Sequence, residues 1–170
     1  MNQYVSLAKS AVESHIKEGK VMAPPKDLPK DFLEKKSGVF VTIEKDGALR
    51  GCIGTFLPTK ENIAQEILDN AVAAATEDYR FGPIQTDELN SLSYTVYILN
   101  EPEPVKDIKE LNPKKYGIIV KSGMKSGLLL PNLEGVTTAE EQIAIACQKA
   151  GISPEEEKIA VFRFTAEKHD

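Results

Sequence analysis

Gly38-Val39-Phe40-Val41-Thr42-Ile43-Glu44-Lys45-Asp46-Gly47-Ala48-Leu49-Arg50-Gly51-Cys52-Ile53-Gly54-Thr55 reads as two strands joined by a tight turn. Val39, Val41 and Ile43 alternate with Phe40, Thr42 and Glu44, the period of a strand with one face in a core. Asp46-Gly47 supplies the turn residues of a two-residue hairpin. Leu49–Thr55 returns as the second strand, which Pro58 stops. A hairpin this tight requires antiparallel pairing, so the fold is α+β and not a parallel α/β sheet.

Working outward, residues 3–18 predict a helix, with Val5, Ala8, Val12 and Ile16 on one stripe. Gly19 ends it, and Pro24, Pro25 and Pro29 mark an irregular connection. After the hairpin, Thr59 reads as an N-cap. The helix that follows has a stripe of Ile63, Ile67, Ala71 and Ala74, and its small residues Ala71, Ala73, Ala74 and Ala75 let it pack tightly on a sheet. The second half echoes this order. Tyr94–Leu99 reads as a strand that ends at a Glu101-Pro102-Glu103-Pro104 break. Ile118–Lys121 and Leu128–Leu130 flank Ser122–Gly127 as a hairpin with a longer loop. Thr138 and Glu141 form a capping box for a helix through Ile143, Cys147 and Ala150, closed by Gly151. Ile159–Ala166 is a last strand. Hairpin, proline, capped helix thus occurs twice, although the residues themselves barely match.

The chain has 170 residues, enough for one domain with a sizeable core, and its 41% hydrophobic and 28% charged residues suit an ordinary globular protein. The net charge is −5, and acidic residues interrupt the densest lysine stretch, between Lys106 and Lys125. Nucleic acid is therefore not the expected partner. No apolar run approaches the roughly 20 residues that span a bilayer, and the N-terminus lacks the basic start and apolar core of a signal peptide. Cys52 and Cys147 are isolated, which fits a reducing compartment. The expected location is the cytoplasm, without contact with membrane.

Arg50 and Cys52 fall on one face of the returning strand, and a cation beside a thiol favours the reactive thiolate. Gly51 and Gly54 strip side chains from both sides of Cys52 and admit a ligand or another backbone. Cys52 is thus a candidate nucleophile, or else a small filler at a crowded strand position. Glu77, Asp78 and Arg80 form a second cluster at a helix C-terminus, where carboxylates oppose the helix dipole. They either supply acid/base and anion-binding groups to a cleft, or pair with each other in a local turn. The only histidines, His15 and His169, cannot be placed near Cys52. Cys147 lies on an apolar stripe and reads as core. No spacing of cysteines and histidines supports a metal site, and no cofactor is expected.

Leu49–Thr55 resembles the signature heptapeptide of the AMMECR-type domain family. The lead-in Gly38–Ile43, the stretch Glu77-Asp78-Tyr79-Arg80-Phe81, the segment Gly127–Pro131 and the final Phe162-Arg163-Phe164 are similar to the family in the same order, so the resemblance covers essentially the whole chain. Tyr79 departs from it, standing where relatives commonly carry proline or a small residue. The resemblance implies one domain over 1–170 with two β/α repeats sharing a curved, barrel-like, mostly antiparallel sheet, and subdomains at about 1–90 and 91–170 around a cleft. It carries no agreed reaction. Many prokaryotic members are similar to the A component of a three-part set (AmmeMemoRadiSam) with a Memo-like protein and a radical S-adenosylmethionine enzyme. The resemblance therefore implies an accessory protein that presents Arg50, Gly51, Gly54, Thr55 and Arg80 to a partner or small ligand. The alternative is a cysteine-dependent enzyme using Cys52, Glu77 and Asp78 on a small polar substrate.

Overall fold

The computed structural model describes residues 2–170, which divide into two compact units. The first runs through Leu99 and takes back Glu167–Asp170; the second is Asn100–Ala166.

The first unit opens with helix α1 (Gln3–Glu18), capped by the Asn2 side chain on the Tyr4 amide and closed by Gly19 at φ 65°. A short helix α2 (Lys30–Glu34) buries Phe32, whose ring stacks on Tyr4. The hairpin is formed by strands β1 (Gly38–Lys45) and β2 (Ala48–Thr55), with Asp46 and Gly47 both at positive φ, as a primed turn requires. Helix α3 (Ile63–Thr76) packs on both strands, and Val39, Val41 and Ile43 point into that interface fully buried. Its cap is Asn62 on the Gln65 amide, not Thr59. Thr59 instead turns its amide and hydroxyl toward Glu66. Strand β3 (Leu92–Leu99) lies antiparallel to β1 in register Val41↔Val96, and so belongs to the first unit despite its place in the second half of the repeat pattern. Strand β8 (Ala166–His169) completes a sheet ordered β2-β1-β3-β8.

The second unit contains β4 (Glu103–Val105), β5 (Gly117–Ser122), β6 (Lys125–Leu129), helix α4 (Ala139–Ala150) and β7 (Ala160–Phe164), with sheet order β4-β7-β5-β6. Its core gathers Ile118, Val120, Leu129, Ala146, Cys147 and Ile152. Thr138 caps α4 on the Glu141 amide and Gly151 closes it, as the pattern predicts.

Three expectations change. The strands make two four-stranded antiparallel sheets, and no closed barrel forms. The second neighbour of β3 is β8, and β4 lies in the other sheet. The Glu101–Pro104 break contains that short strand: Pro104 lacks an N–H, and β4 is an edge strand, where a proline is tolerated. The second hairpin has no long loop, because Ser122 pairs with Lys125 across a two-residue Gly123-Met124 turn with Gly123 at φ 58°.

Candidate functional site

β2 is an edge strand, so half of its backbone groups face away from β1. The Cys52 amide is one of these, and it donates to Asp78 Oδ2 at 3.0 Å. Asp78 is only 5% exposed. Arg80 grips the same carboxylate twice, Nε to Oδ1 at 2.9 Å and Nη2 to Oδ2 at 2.7 Å, while its own amide donates to Oδ1. The guanidinium, with the two amides behind it, holds the Asp78 pKa down to about 2 against the opposing effect of burial. Asp78 is therefore ionised at neutral pH, a fastener rather than a proton donor. The pair bolts the turn after α3 to the edge of β2.

A β-bulge sits at Arg50, since Ile43 pairs with Gly51 while Glu44 pairs with Leu49. The Arg50 guanidinium donates to both Glu88 oxygens, at 2.9 and 3.1 Å, and to the carbonyls of Gly82 and Pro83. Glu88 also accepts the Gln85 amide and the Lys45 amine, and Arg50 first among these partners lowers its pKa to about 2. Arg50 thus works as a second bolt on the same 78–83 segment. The cation near Cys52 is Arg80, not the Arg50 that strand periodicity predicts: Asp78 above all raises the Arg80 pKa, and the charge of Cys52 adds to it. The half-buried Cys52 places Sγ 3.3 Å from Thr42 Oγ1 on the neighbouring strand, the sheet face opposite α3.

The two glycines of the motif are filled by the protein itself. A Cβ on Gly51 would overlap the Ala74 carbonyl of α3, and one on Gly54 would enter the Phe40 ring. Each glycine admits a close approach, as expected, but the visitor is a helix backbone on one face and an aromatic ring on the other. Thr55 donates to Glu66 Oε2 at 2.9 Å and accepts from Asn70. Glu66, 1% exposed, also accepts the Thr59 amide and hydroxyl and the Lys60 amide, which anchors the loop before α3.

Of the sequence-derived residues, Arg50, Cys52, Asp78 and Arg80 are thus joined through one edge of β2. Glu77 is exposed at the C-cap of α3 and lines a different surface with Ile53, Gly54 and Thr55. Glu66, Asn70 and Glu88 escaped the sequence reading. A signal existed for Glu66, a charge on the buried stripe between Ile63 and Ile67, and for Glu88, three residues after Gln85 in a capping box at the 3-10 turn Thr86–Ser91. His169 is occupied elsewhere, stacked on Tyr4 with centroids 4.0 Å apart and accepting from Asn2 Nδ2 at 3.0 Å. Among the described residues there is no group of three or more metal-ligating side chains, and no helix is long and apolar enough to cross a membrane.

Two antiparallel sheets, each with a tightly seated helix, and a glycine-flanked strand bolted to the turn that follows its helix define a mixed α/β protein of one recognisable kind. The family model AMMECR1 matches residues 5–169, and the chain belongs to that family. It is 52% identical over 167 residues to a protein of Thermotoga maritima, covering 98% of this chain and 96% of that one. A Clostridium acetobutylicum protein is 44% identical across 98% of this chain, yet the match spans only 35% of its length. The crystal structure of an uncharacterised protein from Pyrococcus horikoshii superposes with a TM-score of 0.90 at 36% identity, covering 97% of this chain and 88% of that one.

Proposed function

We propose that this chain is an accessory protein that docks a partner through the Tyr79-Arg80-Phe81 turn and the adjoining Leu49–Thr55 strand. The observation that carries this reading is the contrast between what the bolts hold and what they leave exposed. Arg50 and Asp78 saturate their hydrogen bonds inside the protein, while Tyr79 is 94% exposed on the turn they fasten. Leu49 and Phe81 are exposed on the same two segments, and Arg80 lies 5.2 Å from the centre of the Phe81 ring. Tyrosine, arginine and phenylalanine are the residues that anchor protein interfaces, and a turn fixed in advance loses little entropy on binding. The Clostridium relative supports the reading, since there the domain is joined to a larger amount of other sequence. The partner class follows from the family resemblance: a Memo-like protein and a radical S-adenosylmethionine enzyme, met in the cytoplasm.

A second reading keeps Cys52 as a nucleophile acting on a small polar substrate, favoured by the Arg80 guanidinium near its thiol. Asp78 is no proton donor for that chemistry at neutral pH.

The test measures affinity for the Memo-like and radical S-adenosylmethionine proteins of the same genome, using wild type, Tyr79→Ala and Cys52→Ser. Loss of one exposed aromatic anchor is expected to weaken binding about tenfold or more, with Cys52→Ser unchanged. Absence of binding by the wild type, or dependence on Cys52 alone, overturns the docking reading.

A further inference from the structure

A cleft of about 450 Å³ opens within the first unit between the outer face of α3, strand β2 at Ile53–Thr55 and the segment around Met22. That volume is ordinary for a small-molecule site. Its walls are apolar where Met22, Ile53, Val72 and Ala73 meet. Each of its hydroxyl and side-chain amide donors already has a partner inside the protein, and its one ammonium is ion-paired. The Thr55 and Thr59 hydroxyls and the Thr59 and Lys60 amides donate to Glu66. Asn70 Nδ2 donates to the Val39 carbonyl at 2.9 Å and to Thr55, and the Lys60 amine pairs with Asp69 at 3.1 Å.

What remains to meet a ligand is a set of acceptors. Asn70 is 5% exposed, and the bond to Val39 fixes the orientation of its amide. Its Oδ1 accepts no hydrogen bond among the described residues. Two helical turns along the same face, about 10 Å away, Glu77 lines the other end. Its carboxylate has no ion pair or hydrogen bond among the described residues, and the last turn of α3 holds no basic side chain. A carboxylate at the negative end of a 14-residue helix is uncompensated charge.

We infer that this cleft binds a short aliphatic diamine, one ammonium on Glu77, the methylene stem against Val72 and Ala73, and the second amino group donating to Asn70 Oδ1. A ligand of acceptors, such as a carboxylate or phosphate, is repelled by Glu77 and Asn70 Oδ1, and the one ammonium in the lining, Lys60, is already paired with Asp69. A neutral diol fills the stem but leaves Glu77 uncompensated.

The test is a ¹⁵N-resolved NMR titration of the full chain with 1,5-diaminopentane at physiological ionic strength, beside 1-pentylamine, 1,5-pentanediol and pentanoate. Saturable shifts confined to Ile53–Thr55 and Asn70–Glu77 are expected with the diamine, weaker binding with the monoamine, and none with the diol or the acid. Glu77→Gln, an exposed change that leaves the fold intact, is expected to weaken the diamine about tenfold. Ala73→Leu, which fills the middle of the cleft, is expected to abolish the saturable shifts. Absence of saturation in the wild type overturns the inference, as do undiminished binding by Glu77→Gln or shifts scattered over the acidic surface. Those failures leave partner docking intact, because it is read at Tyr79.

Discussion

The two hairpin–helix units solve one packing problem in the same way and one edge problem in opposite ways. In each, the second strand of the hairpin carries a glycine where a helix carbonyl presses in: Gly51 against Ala74, Gly127 against Ala146. In each, a charged side chain just beyond that helix position reaches the strand's outer edge. In the first unit it is the Asp78 carboxylate, taking the Cys52 amide. In the second it is the Lys149 amine, donating to the Leu128 carbonyl at 2.9 Å. The repeat therefore lives in backbone approach and edge capping, and the side chains that execute it differ in sign. The first cap is also buried and ion-paired, whereas Lys149 is exposed. An exposed cap covers an edge; a buried ion pair fixes the segment attached to it.

The largest expected effect tests the shared half of that comparison. Gly51→Ala and Gly127→Ala each force a methyl group onto a helix carbonyl that cannot turn aside. Each is expected to destabilise by about 3 kcal/mol, read from urea unfolding. A tolerated alanine at either position would break the equivalence of the two units.

The next effect tests the unshared half. Asp78→Ala removes a buried carboxylate, leaves the Cys52 amide without its cap and releases a half-exposed Arg80, for an expected loss of about 2 kcal/mol. Lys149→Ala, at the exposed cap, is expected to cost about 0.5 kcal/mol. The Asp78 contribution should also titrate. Its folded pKa, about 2, lies below the ordinary 3.8, so the stabilisation is fully present above about pH 4 and is lost as pH falls through 2. Glu88 adds to the same acid window for the same reason. Equal acid sensitivity of Asp78→Ala and wild type would remove the ion pair from the account.

The smallest effect on stability concerns the two thiols, one in each unit. Cys52 is half-buried at an edge, while Cys147 is buried in the second core with its pKa raised by that burial and by Glu157. Iodoacetamide is expected to label Cys52 in the folded protein and Cys147 only after unfolding, mapped by mass spectrometry. Equal rates would mean that the second core opens as readily as the first unit's edge.

The sequence carried the elements well because their signals are local. The alternation of Val39, Val41 and Ile43, the Asp46-Gly47 turn and the Thr138 cap all act within a few residues of themselves. It carried the site less well because the site is made by long-range partners. Strand periodicity put Arg50 beside Cys52, but the bulge at Arg50 and the distant Glu88 together claim the guanidinium. Glycines that read as room for a ligand are occupied by Ala74 and Phe40, fourteen or more residues away in the chain. Tyr94–Leu99 is legible as a strand, but its place beside β1 is not, since nothing near it announces that pairing.

The Asn2 bond to His169, with the Tyr4 ring stacked beneath the imidazole, brings the two ends of the family domain to one point. A domain whose entry and exit touch is, in topological terms, nearly a ring. A few linking residues would close it without moving either helix or strand, and new ends could be cut at the Gly123-Met124 turn, where Met124 is wholly exposed. The same geometry means that a host protein could carry this domain as a single loop, entering and leaving through adjacent doors.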